Sequence, residues 1–115
     1  MLDLSKMKHT RCLPCTGETE ALQKAQIVGL LAQLAEEWQV EEGKPVISRT
    51  FRFGNYYQTM AFVNAVAFIA HREDHHPDLE VGYNRCKVSF TTHAIKGLSE
   101  NDFICAAKVD DLEHA

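Results

Sequence analysis

Histidines are concentrated in one short stretch of the chain, and histidine is the side chain best suited to exchange protons near neutral pH. Of the six histidines, three fall within six residues, at His71, His75 and His76. Asp74 lies among them, and His93 lies further along. A carboxylate beside a histidine can fix its tautomer and stabilise its charged form. The pattern therefore predicts general acid–base chemistry, with Asp74 and Asp102 as candidate carboxylate partners.

The same residues allow two other interpretations. His71 and His75 are four residues apart, like the zinc-binding histidines of an HExxH helix. The glutamate is misplaced for such a site, however, because Glu73 does not directly follow His71. The third interpretation is that these are solvated loop histidines without a chemical role. The spacing alone leaves the acid–base, metal and solvated interpretations open.

A long helix is predicted just before the histidine pair. Apolar residues from about Tyr56 to Glu73 recur at helical spacing, and the Asn55 side chain can cap the first turn. Pro77 prevents the helix from continuing. His75 and His76 are therefore expected at the junction between this helix and a following strand.

A β-hairpin is predicted after this junction. Residues 79–83 and 85–92 alternate between polar and apolar side chains and are separated by a turn. His93 would follow the second strand. Because a hairpin returns the end of its second strand to the start of its first, Leu79 and Thr92 are expected to be neighbours. The histidines could then meet at one end of the sheet.

The remaining elements complete an α+β fold. A helix is predicted from Gln23 to Trp38, and a strand from Val46 to Phe53 with a short partner strand at 38–40. Arg49 interrupts the apolar face of that strand, so it is expected near a sheet edge. Ser99, with an aspartate three residues later, resembles the capping box of a final helix. The order predicts about four antiparallel strands in one sheet, with three helices packed on one face.

Length and composition are those of one small domain. The chain has 115 residues, a net charge of −4 and 45% apolar residues. No segment approaches the ~20 apolar residues that cross a bilayer, no signal peptide is predicted, and the acidic balance argues against nucleic-acid binding. A cytoplasmic protein is expected.

Residues 1–18 are predicted to be a flexible arm and residues 19–115 a single domain. Cys12 and Cys15 of the arm are interpreted as a surface pair without a role, with metal or redox use as the alternative.

An ordered set of motifs resembles the signature of the pterin-4a-carbinolamine dehydratases. The set consists of His75-His76-Pro77, Tyr83, His93 and Asp102. Short segments at 62–64, 82–85, 91–93 and 97–103 also match the family's sequence. The similarity covers roughly residues 27–109. Some members have an aromatic residue where this chain has Leu79, and an arginine where it has Asn101. Both departures bear on how a pterin would be held.

The resemblance implies a hydro-lyase that converts 4a-hydroxytetrahydrobiopterin to quinonoid dihydrobiopterin and water, in the recycling of a tetrahydrobiopterin cofactor. The implied catalytic residues are His75, His76 and His93, of which His75 and His93 are the acid–base pair and His76 orients the substrate. The implied substrate-binding residues are His71, Asp74 and Asp102, and Asp102 is also the carboxylate partner. No metal or other cofactor is expected, because the reaction involves no redox change.

The resemblance also leaves other functions open. Members of the family in animals act as dimerisation cofactors for a transcription factor, so a coactivator-type interaction protein is one alternative. A dehydratase for another pterin, such as a molybdopterin-related one, is a second. The expected partners are the pterin and further copies of this chain, in a homodimer or homotetramer. Direct contact with nucleic acid or membrane is not expected.

Overall fold

The computed structural model of the protein describes residues 3–4 and 20–114. Its helices are α1 (Lys24–Leu31), α2 (Tyr56–Glu73) and α3 (Glu100–Asp110), and its strands are β1 (Gln39–Val40), β2 (Ile47–Arg52), β3 (Asp78–Val81) and β4 (Arg85–Phe90). Short 3₁₀ turns follow at His93–Ile95 and Asp111–His114. The strands form one antiparallel sheet in the order β1-β2-β4-β3. The predicted α+β fold, with a four-stranded antiparallel sheet and three helices, is confirmed.

One face of the sheet is buried beneath the helices. On β4, the apolar side chains Cys86, Val88 and Phe90 are buried, and the polar residues between them are more exposed, as the two-residue period of a strand requires. The ring centroid of Phe51 on β2 lies 4.6 Å from that of Phe62 on α2. Packing between these two layers removes the apolar face of each element from water, which is the main source of stability for the fold.

The first helix is shorter than the predicted helix at 23–38. It ends at Leu31, and the backbone N–H groups of Gln33 and Leu34 donate to carbonyls three residues earlier, which tightens the chain into turns. Leu34 and Trp38 are nevertheless buried. Periodicity identified Leu34 as a core side chain but missed the end of the helix, because tight turns keep nearly the same spacing.

Most of the predicted arm at 1–18, including Cys12 and Cys15, lies outside the described residues. Leu4 is described, and it is buried in the hydrophobic core. Its backbone N–H donates to Gln33 Oε1 at 2.8 Å, just beyond the end of α1.

Arg49 lies on an inner strand, opposite Val88 of β4, and β1 ends just short of it, because β1 pairs only with Ile47 and Ser48. Its strand, β2, pairs with β1 on one side and β4 on the other. The side chain is only 6% exposed, and its guanidinium contacts three carboxylates: Asp110 Oδ1 at 2.6 Å, Glu113 Oε1 at 2.7 Å and Glu37 Oε2 at 3.0 Å. A buried cation is tolerated in this apolar row because these acids compensate its charge.

Asp110 is the most enclosed of these acids. Trp38 Nε1 donates to both of its oxygens, at 2.9 and 3.0 Å. Burial raises the pKa of the Asp110 carboxyl, and the hydrogen bonds from Trp38 and the charge of Arg49 counteract that rise only in part. The cluster attaches the end of α3 and the C-terminal 3₁₀ turn to the centre of the sheet.

Arg49→Met is expected to lower the free energy of unfolding by about 3 kcal/mol at pH 7, because it leaves the Asp110 carboxylate buried without its cation. The loss should shrink as the pH falls, since a protonated Asp110 has no charge to compensate. With its pKa raised, Asp110 takes up its proton above the ordinary value of 3.8. Urea unfolding at pH 7 and pH 4.5 measures both effects.

The matched control is Arg52→Met, on the exposed face of the same strand. It should change stability by less than about 0.5 kcal/mol. Equal losses for the two variants, or a loss in Arg49→Met that grows as the pH falls, would contradict the role of the buried ion pairs.

Candidate functional site

The end of α2 turns the chain towards the protein interior at His75. Asp74 adopts the left-handed conformation (φ 51°), which aspartate tolerates better than most residues. The His75 N–H donates to the Ala70 carbonyl and the Asp74 N–H to the His71 carbonyl, a Schellman ending of the helix. Asn55 caps the other end by accepting from the Gln58 N–H at 2.8 Å. The predicted bounds and cap of this helix are therefore confirmed.

Glu73, the last residue of α2, is buried although it carries a carboxylate. Its Oε2 lies 3.9 Å from Nζ of Lys108 on α3 and 3.9 Å from Nε of Arg72. These contacts link the end of α2 to α3, and α3 carries the next member of the site.

His75 is enclosed and directly bonded to a carboxylate. Its Nε2 lies 2.6 Å from Asp102 Oδ1, and its side chain is 11% exposed. The imidazole ring is nearly parallel to the Phe90 ring, with an angle of 7° between their planes and 6.0 Å between their centroids. The ring is therefore held at one edge by a hydrogen bond and on one face by an aromatic side chain.

Asp102 is completely buried, and several donors satisfy its carboxylate. Oδ2 accepts from the Thr92 hydroxyl at 2.8 Å and from the Ser99 backbone N–H at 2.9 Å, while Oδ1 faces His75. Ser99 and Asp102 form the predicted capping box at the start of α3, so the helix N-terminus also favours the negative charge. The same residue caps a helix and orients a histidine.

His93 lies on a tight loop that begins at Thr92. Thr92 and Gly97 exchange backbone hydrogen bonds of 3.0 and 3.4 Å, which closes the loop around the 3₁₀ turn. Lys96 adopts the left-handed conformation (φ 50°) within it. A Cβ at Gly97 would lie 2.7 Å from the Ala21 Cβ, so a larger residue would displace this loop. His93 is exposed on the loop.

The structure brings some of the predicted site residues into contact and leaves others at the surface. Of the two candidate carboxylates, Asp102 contacts His75, whereas Asp74 is exposed and forms the helix ending. His71, His76 and His93 are also exposed. His76 directly follows His75 in the chain, and His93 directly follows Thr92, so both lie next to members of the Asp102 network. Among the described residues, no three His, Cys, Asp or Glu side chains are grouped as a metal site.

The expected pairing at the hairpin ends is wrong in detail. Leu79 lies opposite Val88 rather than beside Thr92. The strands end earlier than predicted, and residues beyond Phe90 enter the loop to His93. The histidine pair still reaches this end of the sheet, because the turn after α2 places the His75 ring against Phe90.

The roles of Phe90, Thr92 and Ser99 in holding His75 and Asp102 were not predicted from the sequence. A signal for Thr92 was present. Thr92 continues the two-residue alternation that places Cys86, Val88 and Phe90 on the buried face. It is therefore a polar residue on an apolar face, where its hydroxyl needs a buried hydrogen-bond partner. Ser99 was identified only as part of a helix cap.

Comparison with known proteins identifies the family. A family model described as Pterin 4 alpha carbinolamine dehydratase matches residues 20–112. The chain belongs to this family. A relative from Nitrosomonas eutropha, provisionally named a pterin-4-alpha-carbinolamine dehydratase, is 58% identical over 112 residues, which is 97% of each chain. The resemblance noted in the sequence is therefore confirmed.

Two solved structures of similar fold extend the comparison. The crystal structure of a transcriptional coactivator/pterin dehydratase from Brucella melitensis has a TM-score of 0.77 and 30% identity, over 81% of this chain and 98% of that one. A pterin dehydratase-like protein, described as a RuBisCO assembly factor in the alpha-carboxysome, has a TM-score of 0.57 and 32% identity, over 66% of this chain and 88% of that one.

No helix in the described residues is long and apolar enough to span a membrane.

Asp102→Ala is expected to lower the free energy of unfolding by about 3 kcal/mol. It removes one side of the capping box, leaves the Ser99 N–H buried without its acceptor and removes the hydrogen-bond partner of His75. The matched control is Glu100→Ala, an exposed acid in the same helical turn, which should cost at most about 1 kcal/mol through the helix dipole. Chemical denaturation of both variants compares them. Losses within about 0.5 kcal/mol of each other would contradict the structural role of Asp102.

Proposed function

We propose that this protein dehydrates a 4a-hydroxytetrahydropterin, such as 4a-hydroxytetrahydrobiopterin, to the quinonoid dihydropterin by histidine acid–base catalysis. Membership of the pterin-4a-carbinolamine dehydratase family supports the reaction class. The observation that carries the proposal is the 2.6 Å contact between His75 Nε2 and the buried carboxylate of Asp102. A carboxylate that orients an imidazole is the usual support for a histidine that transfers protons.

The reaction breaks the bond between C4a and the hydroxyl oxygen, and the hydroxyl leaves as water after it gains a proton. The N5–H bond also breaks, and its electron pair forms the new double bond between N5 and C4a. One group must therefore donate a proton to the leaving oxygen and another must accept the proton of N5. Atoms, charges and electrons balance without an oxidant or a reductant, so the reaction requires no cofactor.

His75 and His93 are the proposed acid–base pair. His75 is fixed by Asp102 and Phe90, which suits a group that must meet one atom of the substrate reproducibly. His93 is exposed on the loop that leaves Thr92, where a substrate can reach it. His76 is proposed to orient the pterin, and exposed His71 and Asp74 are proposed to contact it near the end of α2. These exposed side chains would supply polar contacts to a substrate beside His75.

His75→Ala and His93→Ala should each lower the dehydration rate by about 10²-fold or more without unfolding the protein. His76→Ala should raise KM more than it lowers kcat, as expected when binding is lost equally from the ground and transition states. An assay coupled to an aromatic amino-acid hydroxylase, which supplies the 4a-hydroxypterin, measures these constants. Arg52→Met, on the exposed face of β2, is the control and should be unaffected. An unchanged kcat in His93→Ala would remove His93 from the mechanism.

A second candidate function is binding to another protein as a coactivator-type partner. The observation that favours it is a row of exposed residues at helical spacing on α2, which consists of Tyr57, Ala61, Asn64 and Phe68. Turnover separates the candidates, because a protein that only binds a partner shows no dehydration. If another pterin, such as a molybdopterin-related one, were the substrate, activity would be found with that pterin and not with 4a-hydroxytetrahydrobiopterin.

The protein is also proposed to form a homodimer or homotetramer. The edge strands of its sheet are β1 and β3, and the side chains of Val40 and Val81 on them are exposed. Unpaired strand edges favour pairing with another chain, and a symmetric dimer is the commonest closed assembly.

Light scattering at micromolar concentration should therefore give two or four times the 13.0 kDa mass of one chain. The charged variant Val81→Lys should shift the assembly towards smaller species if β3 forms the interface. A mass near 13.0 kDa for the unmodified protein would contradict the assembly. The catalytic proposal would be unaffected, since His75 and Thr92 both contact Asp102 within one chain.

A further inference from the structure

The hydrogen atoms around Asp102 can be assigned one by one. An ionised carboxylate only accepts hydrogen bonds, and a threonine hydroxyl has a single hydrogen to donate. The Thr92 hydrogen therefore points to Asp102 Oδ2, at 2.8 Å. The 2.7 Å contact between the Thr92 and Ser99 hydroxyl oxygens must then use the hydrogen of Ser99. The hydrogen bonds run in one direction, from Ser99 to Thr92 to Asp102.

The ionised carboxylate also determines which ring nitrogen of His75 carries a hydrogen. Oδ2 is occupied by Thr92 and the Ser99 N–H, so Oδ1 is the oxygen available to the ring. Because the carboxylate cannot donate, the 2.6 Å contact requires a hydrogen on His75 Nε2. In the neutral ring the lone pair then lies on Nδ1. Within the described part of the chain, Nε2–Asp102 is the hydrogen bond that the ring of His75 makes.

We propose that Thr92 is a positioning residue that acts through Asp102 to hold His75 in the Nε2–H tautomer, so that Nδ1 is the atom that exchanges the proton with the substrate. This inference rests on the proposed function for its link to catalysis. Thr92 is well suited to this task, because it is only 3% exposed and its backbone is fixed by the bridge to Gly97. Without its hydroxyl, Asp102 Oδ2 would keep only the Ser99 N–H as a donor. The carboxylate would then be held less firmly, and the acceptor of the His75 ring would be less well fixed.

Nitrogen NMR of ¹⁵N-histidine-labelled protein tests the tautomer without any substrate. The His75 signals, assigned by their loss in His75→Asn, should show the hydrogen of the neutral ring on Nε2. Thr92→Val, which removes the hydroxyl and keeps the branched shape, should give a mixture of tautomers and lower kcat about tenfold, with KM little changed. Thr92→Ser keeps the hydroxyl and should restore both readouts.

Thr91→Val is the matched control. It removes a neighbouring hydroxyl that donates to the Pro45 carbonyl at 2.6 Å instead of to Asp102, and it should leave the tautomer and kcat unchanged. A hydrogen on Nδ1 in the unmodified protein would overturn the proposal, and this result needs no variant to fold. A Thr92→Val protein that folds with an unchanged tautomer would also overturn it.

The outcomes distinguish this inference from the proposed function. If the tautomer depends on Thr92 but no 4a-hydroxypterin is dehydrated, the positioning role is supported and the proposed reaction fails. If dehydration occurs with the Nδ1–H tautomer, the reaction is supported and the positioning role fails.

Discussion

The buried carboxylate of Asp102 is the constraint on which the site depends. Removing a charge from water is costly unless hydrogen bonds replace its hydration. Here the replacements come from three places: the loop after β4 through Thr92, the start of α3 through the Ser99 N–H, and the turn after α2 through His75. The fold can bury Asp102 only when these three segments converge. The interaction that stabilises this corner of the protein is therefore the one that orients the candidate catalytic histidine.

The connections between these segments leave little room for movement. The left-handed turn at Asp74 and the ring of Pro77 confine the chain between α2 and β3, and Glu73 contacts Lys108 of α3 from the same turn. On the other side, the loop from Thr92 to Gly97 is closed by backbone hydrogen bonds. Sites whose members are carried by such fixed elements hold their geometry more closely than sites on free loops. The proposed site residues that lie at the surface are His71, Asp74, His76 and His93.

The sequence predicted the parts of this arrangement that depend on local signals. The bounds of α2, its Asn55 cap and the capping box at Ser99 follow from hydrogen bonds between residues three or four apart, so a single stretch of sequence contains the information. The convergence of His75 and Asp102 was predicted only as a candidate pair, because they are 27 residues apart and their contact depends on how two helices pack. The ion pairs of Arg49 were not predicted, for the same reason. Its three carboxylates come from distant segments, and no local pattern identifies them.

In the proposed reaction, the reacting atoms of the 4a-hydroxypterin explain why one fixed histidine and one exposed histidine would suffice. The leaving oxygen is attached to C4a and the departing proton to N5, and these two ring atoms are bonded to each other. The acid and the base must therefore approach neighbouring atoms of one substrate molecule, which demands a short separation more than a deep pocket. A histidine held by Asp102 supplies a fixed reference for one of these atoms. An exposed histidine on an adjoining loop can adjust to the other, so the precision of the site has to be built around only one of the two rings.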